Sequence, residues 1–290
     1  MFKIVLKNIH TYKKICNFRR LRKFFVFDLT KLQTIHDEEG FYKAMLPLRM
    51  ANRITKTTWE NRFQELDSRC IQYFPHNTRY KIHDVAVSDG TTSVELFDVL
   101  MKNEVDFELF ISDKYSKVRQ RGHVFKKFYD IEGNLIHADA LGMYISPTAT
   151  PKYFLSKWMS YLFQWKISDM ADATELLLLN PKTIDRLKSP NLNFIHYDIF
   201  QQSTLDIQFD FVRCMNVLNK KYFSNELIAK AVSCLISTLK DGGVFLVGRT
   251  NREGKTHASF FQKEQGHLIL LSDFNLGSEI KDIVINSMSE

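Results

Sequence analysis

From Tyr80 onward, two spacings of apolar residues alternate along the chain. Lys81–Val87, Phe107–Ser112, Asn193–Tyr197, Phe209–Met215 and Val244–Gly248 are short runs of apolar residues, and they predict strands. Ser93–Met101 and Asn225–Leu239 place apolar residues three and four apart, which predicts helices. Strands alternating with helices imply a mostly parallel sheet joined by right-handed crossovers. Asp241-Gly242-Gly243 supplies a tight turn between the second helix and the strand after it. Upstream, Lys43–Asn52 and Thr58–Tyr73 also have helical spacing, the second with Thr58 as its N-cap, and Pro75-His76-Asn77 ends the pattern. The pattern thus divides the chain into a helical N-terminal region at 1–79 and an α/β domain at 80–290.

The α/β pattern is interrupted at 114–190. Phe125–Tyr129 and Leu135–Tyr144 alternate on either side of Glu132-Gly133-Asn134, which is a hairpin signal. Pro147 and Pro151 follow, then Tyr153–Trp165, a segment dense in Trp, Tyr and Phe. The interruption reads as an inserted hairpin-plus-helix cap. Its aromatic segment fits core packing of the cap, a lid over an apolar or lipid-like substrate, or a membrane-surface helix. For the last of these, Lys157 and Lys166 give little basic face.

Composition confirms a packed globular chain: 44% of residues are hydrophobic and 25% charged over 290 residues. The net charge of +7 is local. Lys3, Lys7, Lys13, Lys14, Arg19, Arg20, Arg22 and Lys23 precede Phe27 with no acid among them, and the remainder holds 32 cations against 33 acids. The basicity therefore belongs to a segment at 1–27, a basic arm that could meet an acidic membrane surface; nucleic acid ranks below that as a partner. No run approaches the roughly 18–20 apolar residues of a membrane span. Phe24–Phe27 is shorter than a signal-peptide core, so the expected location is the cytoplasm, with peripheral membrane attachment as an option. Cys16, Cys70, Cys214 and Cys234 form no CxxC pair, no Cys/His cluster has metal-ligand spacing, and no metal is expected.

The chemistry concentrates where the first α/β strand ends. His83-Asp84-Val85-Ala86-Val87-Ser88-Asp89-Gly90 follows a strand and opens a helix, with small residues at alternate positions 86, 88 and 90. Small residues there let backbone amides approach a nucleotide cofactor, and the helix N-terminus favours negative charge. The run resembles the first motif of class I S-adenosylmethionine-dependent methyltransferases, an acid followed by Gly-x-Gly-x-Gly. Asp84 matches the acid, Ala86 and Ser88 replace two glycines, and Gly90 keeps the third.

That resemblance implies a Rossmann-like, mostly parallel sheet with a C-terminal antiparallel strand, and S-adenosylmethionine as cofactor. It implies that Asp113, after the second strand, meets the ribose, and that Asp198, followed by Ile199, meets the adenine amine. Met215-Asn216-Val217 resembles the strand-four motif of the chemotaxis-receptor methyltransferase branch, with Met215 where that branch has arginine. The implied cofactor set is Asp84, Ala86, Ser88, Gly90, Asp113, Asp198, Ile199, Met215 and Asn216. Substrate-side candidates are Tyr115, Asn219, Tyr222 and Arg249, while no catalytic acid or base stands out. Methyl transfer to a small or lipid-like acceptor is the first expectation. The alternatives are a protein carboxylate acceptor and a non-catalytic cofactor-binding sensor or scaffold.

Overall fold

The computed structural model describes residues 3–18, 20–50, 56, 58–76, 78–145, 171–202 and 206–287. Residues 3–58 hold β1 (Lys3–Leu6), α1 (Ile9–Cys16), β2 (Phe25–Phe27) and α2 (Glu38–Met45). Residues 59–114 hold α3 (Gln64–Cys70), β3 (Tyr80–Val85), α4 (Thr91–Lys102) and β4 (Phe107–Ser112). Then come β5 (Lys117–Arg121), β6 (Phe125–Tyr129), β7 (Leu135–Ala140), β8 (Met143–Ile145), β9 (Thr174–Leu177) and α5 (Pro181–Arg186). The chain ends with β10 (Leu192–Ile195), β11 (Phe209–Met215), α6 (Asn225–Ser237), β12 (Leu239–Thr250), β13 (Thr256–Glu264), β14 (His267–Phe274) and α7 (Lys281–Asn286). No helix among the described residues is long and apolar enough to cross a membrane.

Two compact units result, each with a seven-stranded sheet. The first joins residues 1–58 to 115–184. Its sheet runs β2-β1-β8-β7-β6-β5-β9, antiparallel except for the β1–β2 pair. Tyr12, Phe27, Leu32, Phe41 and Met45 from the N-terminal part share one core with Val118, Phe128 and Ile136 from the later part. This corrects the expected helical region at 1–79. Lys3–Leu6 and Phe25–Phe27 are strands: β2 pairs with β1, and β1 pairs with β8, more than a hundred residues on, in a sheet that local spacing does not reveal. The expected hairpin at 125–144 is present, but Leu141 and Gly142, both at positive φ, turn the chain again before β8. The aromatic segment 153–165 lies outside the described residues.

The second unit comprises 59–114 and 185–290, and its sheet runs β10-β4-β3-β11-β12-β13-β14. The first five strands are parallel; β13 is antiparallel to β12 and β14 to β13. The antiparallel strand is therefore followed by one more strand at the sheet edge. The expected helix at 58–73 is shorter: α3 starts at Gln64 and has no side-chain cap, so Thr58 does not cap it. Likewise α2 starts at Glu38 behind the Asp37 cap and stops at Met45, not at 52. The Asp241-Gly242-Gly243 turn sits inside β12 as a bulge, since Phe209 pairs with Leu239 and Phe211 already with Val244. Two cores cover the sheet: α6 and α7 supply Ile228, Leu235 and Val284 to one, while α3 and α4 supply Leu66, Leu96 and Leu100 to the other.

Candidate cofactor site

Strand order places the site. Chain order runs outward from β3 through β4 to β10, then restarts on the other side of β3 with β11 and β12. The order reverses between β3 and β11, and in open α/β sheets ligands bind in the crevice beyond the carboxyl ends at such a reversal. The segments leaving those two ends are Ala86–Gly90 and Met215–Asn216.

The backbone of the first segment is unusual. Ala86, Ser88 and Gly90 all have positive φ, at 58°, 62° and 85°. These are the three alternate positions at which the related motif has glycine. A residue with a Cβ in the left-handed region carries a penalty of roughly 1–2 kcal/mol, so Ala86 and Ser88 hold a glycine's conformation against their own preference. The Val87 amide donates to the Ser112 carbonyl (3.0 Å) and the Ser88 amide to Asp113 Oδ2 (2.8 Å), which fastens the loop to the end of β4. Gly90 is the N-cap of α4, and Asp89 accepts from the Thr91 amide. The Ser88 hydroxyl is buried without a hydrogen-bond partner. A buried hydroxyl left unpaired carries a penalty, and a bound polar ligand would remove it.

Asp84 does not point into this loop's open side. Its two oxygens accept from Arg213 Nε (2.9 Å) and Nη2 (2.6 Å), and Oδ2 also accepts from the Ser93 hydroxyl (2.6 Å). Arg213 is itself buried, donates to the Thr92 carbonyl (2.9 Å) and pairs with Asp67 of α3. Burial opposes the arginine's charge, but Asp67 and Asp84 raise its pKa above the ordinary value. Burial lifts Asp67 to about 7, with Arg213 working against that rise. This buried cluster ties β3, β11, α3 and the first turn of α4 together, directly beneath the loop. Asp84 therefore positions the loop. Both of its oxygens, expected from the motif to serve a ligand, accept hydrogen bonds from Arg213 and Ser93 in this structure.

The other expected residues divide into two groups. Asp113 is buried against the loop, and Asp198, after β10, lies 3.0 Å from Lys114 Nζ while accepting from the Phe200 amide. The two acids thus follow neighbouring strands of one sheet. Ile199 and Met215 are buried. Asn216 has φ 62°, and its Oδ1 accepts from the Thr250 amide (2.8 Å), so the side chain secures the end of β12. Of the substrate-side candidates, Arg249 is ion-paired with Glu279 (2.8 Å) and Asn219 closes a turn onto the Lys221 amide. Tyr222 is 70% exposed. Tyr115 belongs to the first unit, where its hydroxyl meets Glu132. Sequence reasoning missed Arg213 and Asp67. An arginine in the middle of a strand buried on both faces was the available signal, because such a charge needs an acid partner.

No protein-family model and no curated protein matches the chain. Among solved structures it is similar to the N-methyltransferase NodS from Bradyrhizobium japonicum WM9 in complex with S-adenosyl-L-homocysteine, at 12% identity over 65% of this chain and 62% of that one, with TM-score 0.32. It is similar to the citrinin polyketide synthase CMeT domain, at 9% identity over 83% of this chain and 47% of that one, with TM-score 0.37. It is also similar to a S-adenosylmethionine-dependent methyltransferase from Clostridium acetobutylicum ATCC 824, at 11% identity over 79% and 80%, with TM-score 0.36. The chain spans less than two thirds of the length of the first two. Similarity at this level assigns neither ligand nor activity.

Proposed function

We propose that the second unit binds S-adenosylmethionine and that the protein transfers its methyl group to a small-molecule or lipid-like acceptor. One observation carries this reading: three left-handed residues at alternate positions, around an unpaired buried hydroxyl, at the reversal point of a parallel sheet. The residues present fit the cofactor. Asp113 and Asp198, on adjacent strand ends, would take the ribose hydroxyls and the adenine amine, and Ser88 would offer its hydroxyl from the loop. Ile199 and Met215 would supply apolar walls. Asp84 and Arg213 would act from beneath, by holding the loop.

When bound, the cofactor supplies a methyl group on a positively charged sulfur. Its displacement needs alignment and exclusion of water, and a base only where the nucleophile carries a proton. A set without a His or Cys nucleophile is compatible with that requirement. Protein carboxylates rank lower as acceptors, because Met215 replaces the arginine of the branch that uses them. A second reading is a cofactor-binding sensor without turnover. It is favoured by Arg249 and Asn216, which face internal partners, Glu279 and Thr250.

Calorimetry on the full chain tests the site. S-adenosylmethionine and S-adenosylhomocysteine are both expected to bind, and Asp113→Ala to weaken them tenfold or more, the scale of a lost hydrogen bond to a charged group. If neither ligand binds, or the substitution leaves affinity unchanged, the assignment is wrong. Binding without any methyl release in the presence of cell extract selects the sensor reading.

A further inference from the structure

Independently of the cofactor reading, the structure points to a second functional surface on the first unit. We propose that residues 14–24 dock this protein on an anionic phospholipid surface, with Phe18, Leu21 and Phe24 entering the headgroup layer and Lys14, Arg20, Arg22 and Lys23 meeting the phosphates. The segment links α1 to β2. Its hydrogen bonds recur every three residues: Phe18 N to Ile15 O, Leu21 N to Phe18 O, and Phe24 N to Leu21 O, each 2.9 Å. Arg22–Phe24 is a 3-10 turn, and Phe18 and Leu21 lie in the turns that precede it. Phe18, Leu21 and Phe24, each closing or opening one of these turns, are 61%, 46% and 44% exposed.

The four cations around them are exposed as well, and Lys23 lies over the Phe24 ring at 5.0 Å. Residues 1–27 contain no acid. The first one, Asp28, is buried and held by Lys126. Lys13 is ion-paired with the exposed Asp37 and Glu39. Lys14, Arg20, Arg22 and Lys23 thus lie exposed beside an apolar ridge.

Charge complementarity selects a polyanion, and the ridge selects a bilayer. Basic side chains flanking exposed large apolar groups give membrane affinity from two sources, interfacial burial and attraction to anionic lipid. A nucleic acid would use the cations and could stack on the phenylalanines, but it offers nothing to Leu21. The docking unit is built into the fold, since Phe25–Phe27 continue directly into β2 and its core. The segment therefore presents its ridge without ordering on contact.

The test is co-sedimentation of the full chain with vesicles of phosphatidylcholine alone and with about 30% phosphatidylserine, at low and physiological salt. Binding is expected only to the anionic vesicles and to weaken with salt. The triple change Arg20→Gln, Arg22→Gln and Lys23→Gln is expected to weaken it on the order of a hundredfold, about fivefold per cation. The change Phe18→Ser, Leu21→Ser and Phe24→Ser is expected to weaken it about tenfold or more while leaving the salt dependence. All six positions are exposed, so thermal unfolding should stay near wild type and separates docking from misfolding. The proposal fails if the wild type ignores anionic vesicles, if either variant binds like wild type, or if an RNA or DNA oligonucleotide binds while vesicles do not. Because the site lies in the other unit's partner domain, loss of vesicle binding leaves cofactor calorimetry untouched.

Discussion

Ala86 and Ser88 decide how the loop after β3 should be read. A left-handed conformation at one residue is common enough in turns, but alternation over 86, 88 and 90 is a specific backbone shape. Two of the three positions carry a Cβ, so the shape is not written in the sequence as glycines. Its energetic consequence is measurable. Ala86→Gly and Ser88→Gly should each raise the stability of the second unit by about 1 kcal/mol, because glycine enters the left-handed region without the Cβ penalty. Ala229→Gly, inside α6, is the control and should lose about 0.5–1 kcal/mol. Denaturant unfolding checks both, and equal losses at all three positions would remove the strained-loop account. At this scale the sequence was informative about which residues gather and less so about what they touch. Asp113, Asp198 and Asn216 fall on strand ends of one sheet, as the strand pattern implies. That Asp84 and Asn216 are taken by Arg213 and Thr250 depends on contacts 129 and 34 residues apart, which no local spacing encodes.

Among elements, β4 and β11 match the sequence pattern residue for residue. Both are interior parallel strands buried on two faces, so nearly continuous apolar runs mark their limits. β1 and β2 are the opposite case. Four and three residues long, they sit in a basic segment; β2 pairs only with β1, and β1 pairs on its other side with β8, which starts at Met143. Their apolar residues could equally belong to a short helix or a loop, so the N-terminal basic segment looks like a detachable arm. It is not detachable: β1 lies between β2 and β8, and Tyr12, Val26 and Phe27 are core residues of the first unit. Deletion of residues 1–27 should therefore strip two strands, bare the β8 edge and unfold the first unit. Limited proteolysis should then cut rapidly within 115–145, where the full chain is protected. A truncated chain that keeps this region protected would show the sheet to be complete without its N-terminal strands. For the same reason, membrane docking has to be tested by surface substitutions and not by truncation.

At the scale of the molecule, each unit encloses a histidine that burial keeps neutral: His83 in the second and His137 in the first, each lowered to about 3. For His83 the nearby Asp84 charge pushes the other way without overcoming burial. Its Nε2 meets the Ser112 hydroxyl at 2.8 Å and its ring packs on Phe209. A histidine with a depressed folded pKa is less protonated folded than unfolded. Its stabilising contribution is present above about pH 6.5 and is lost as pH falls toward 3. In the same unit Asp67 does the reverse. Burial raises it to about 7, so the folded state keeps a proton that the unfolded chain releases near pH 4. Its contribution is present at low pH and is lost as pH rises from about 4 to 7. Over roughly pH 4.5–6.5 the two slopes oppose each other, each near 1.4 kcal/mol per pH unit. The second unit is thus partly buffered against pH by a pair of buried groups in separate clusters. Removing one member should tilt it. Relative to wild type, His83→Gln should make stability fall more steeply as pH rises through this range, and Asp67→Asn should make it climb. Both variants lose stability at every pH, so the informative quantity is the slope of unfolding free energy against pH. Identical slopes in wild type and His83→Gln would mean that the folded histidine is charged, with its unpaired Nδ1 protonated. Identical slopes in wild type and Asp67→Asn would mean that Arg213 holds Asp67 ionised throughout.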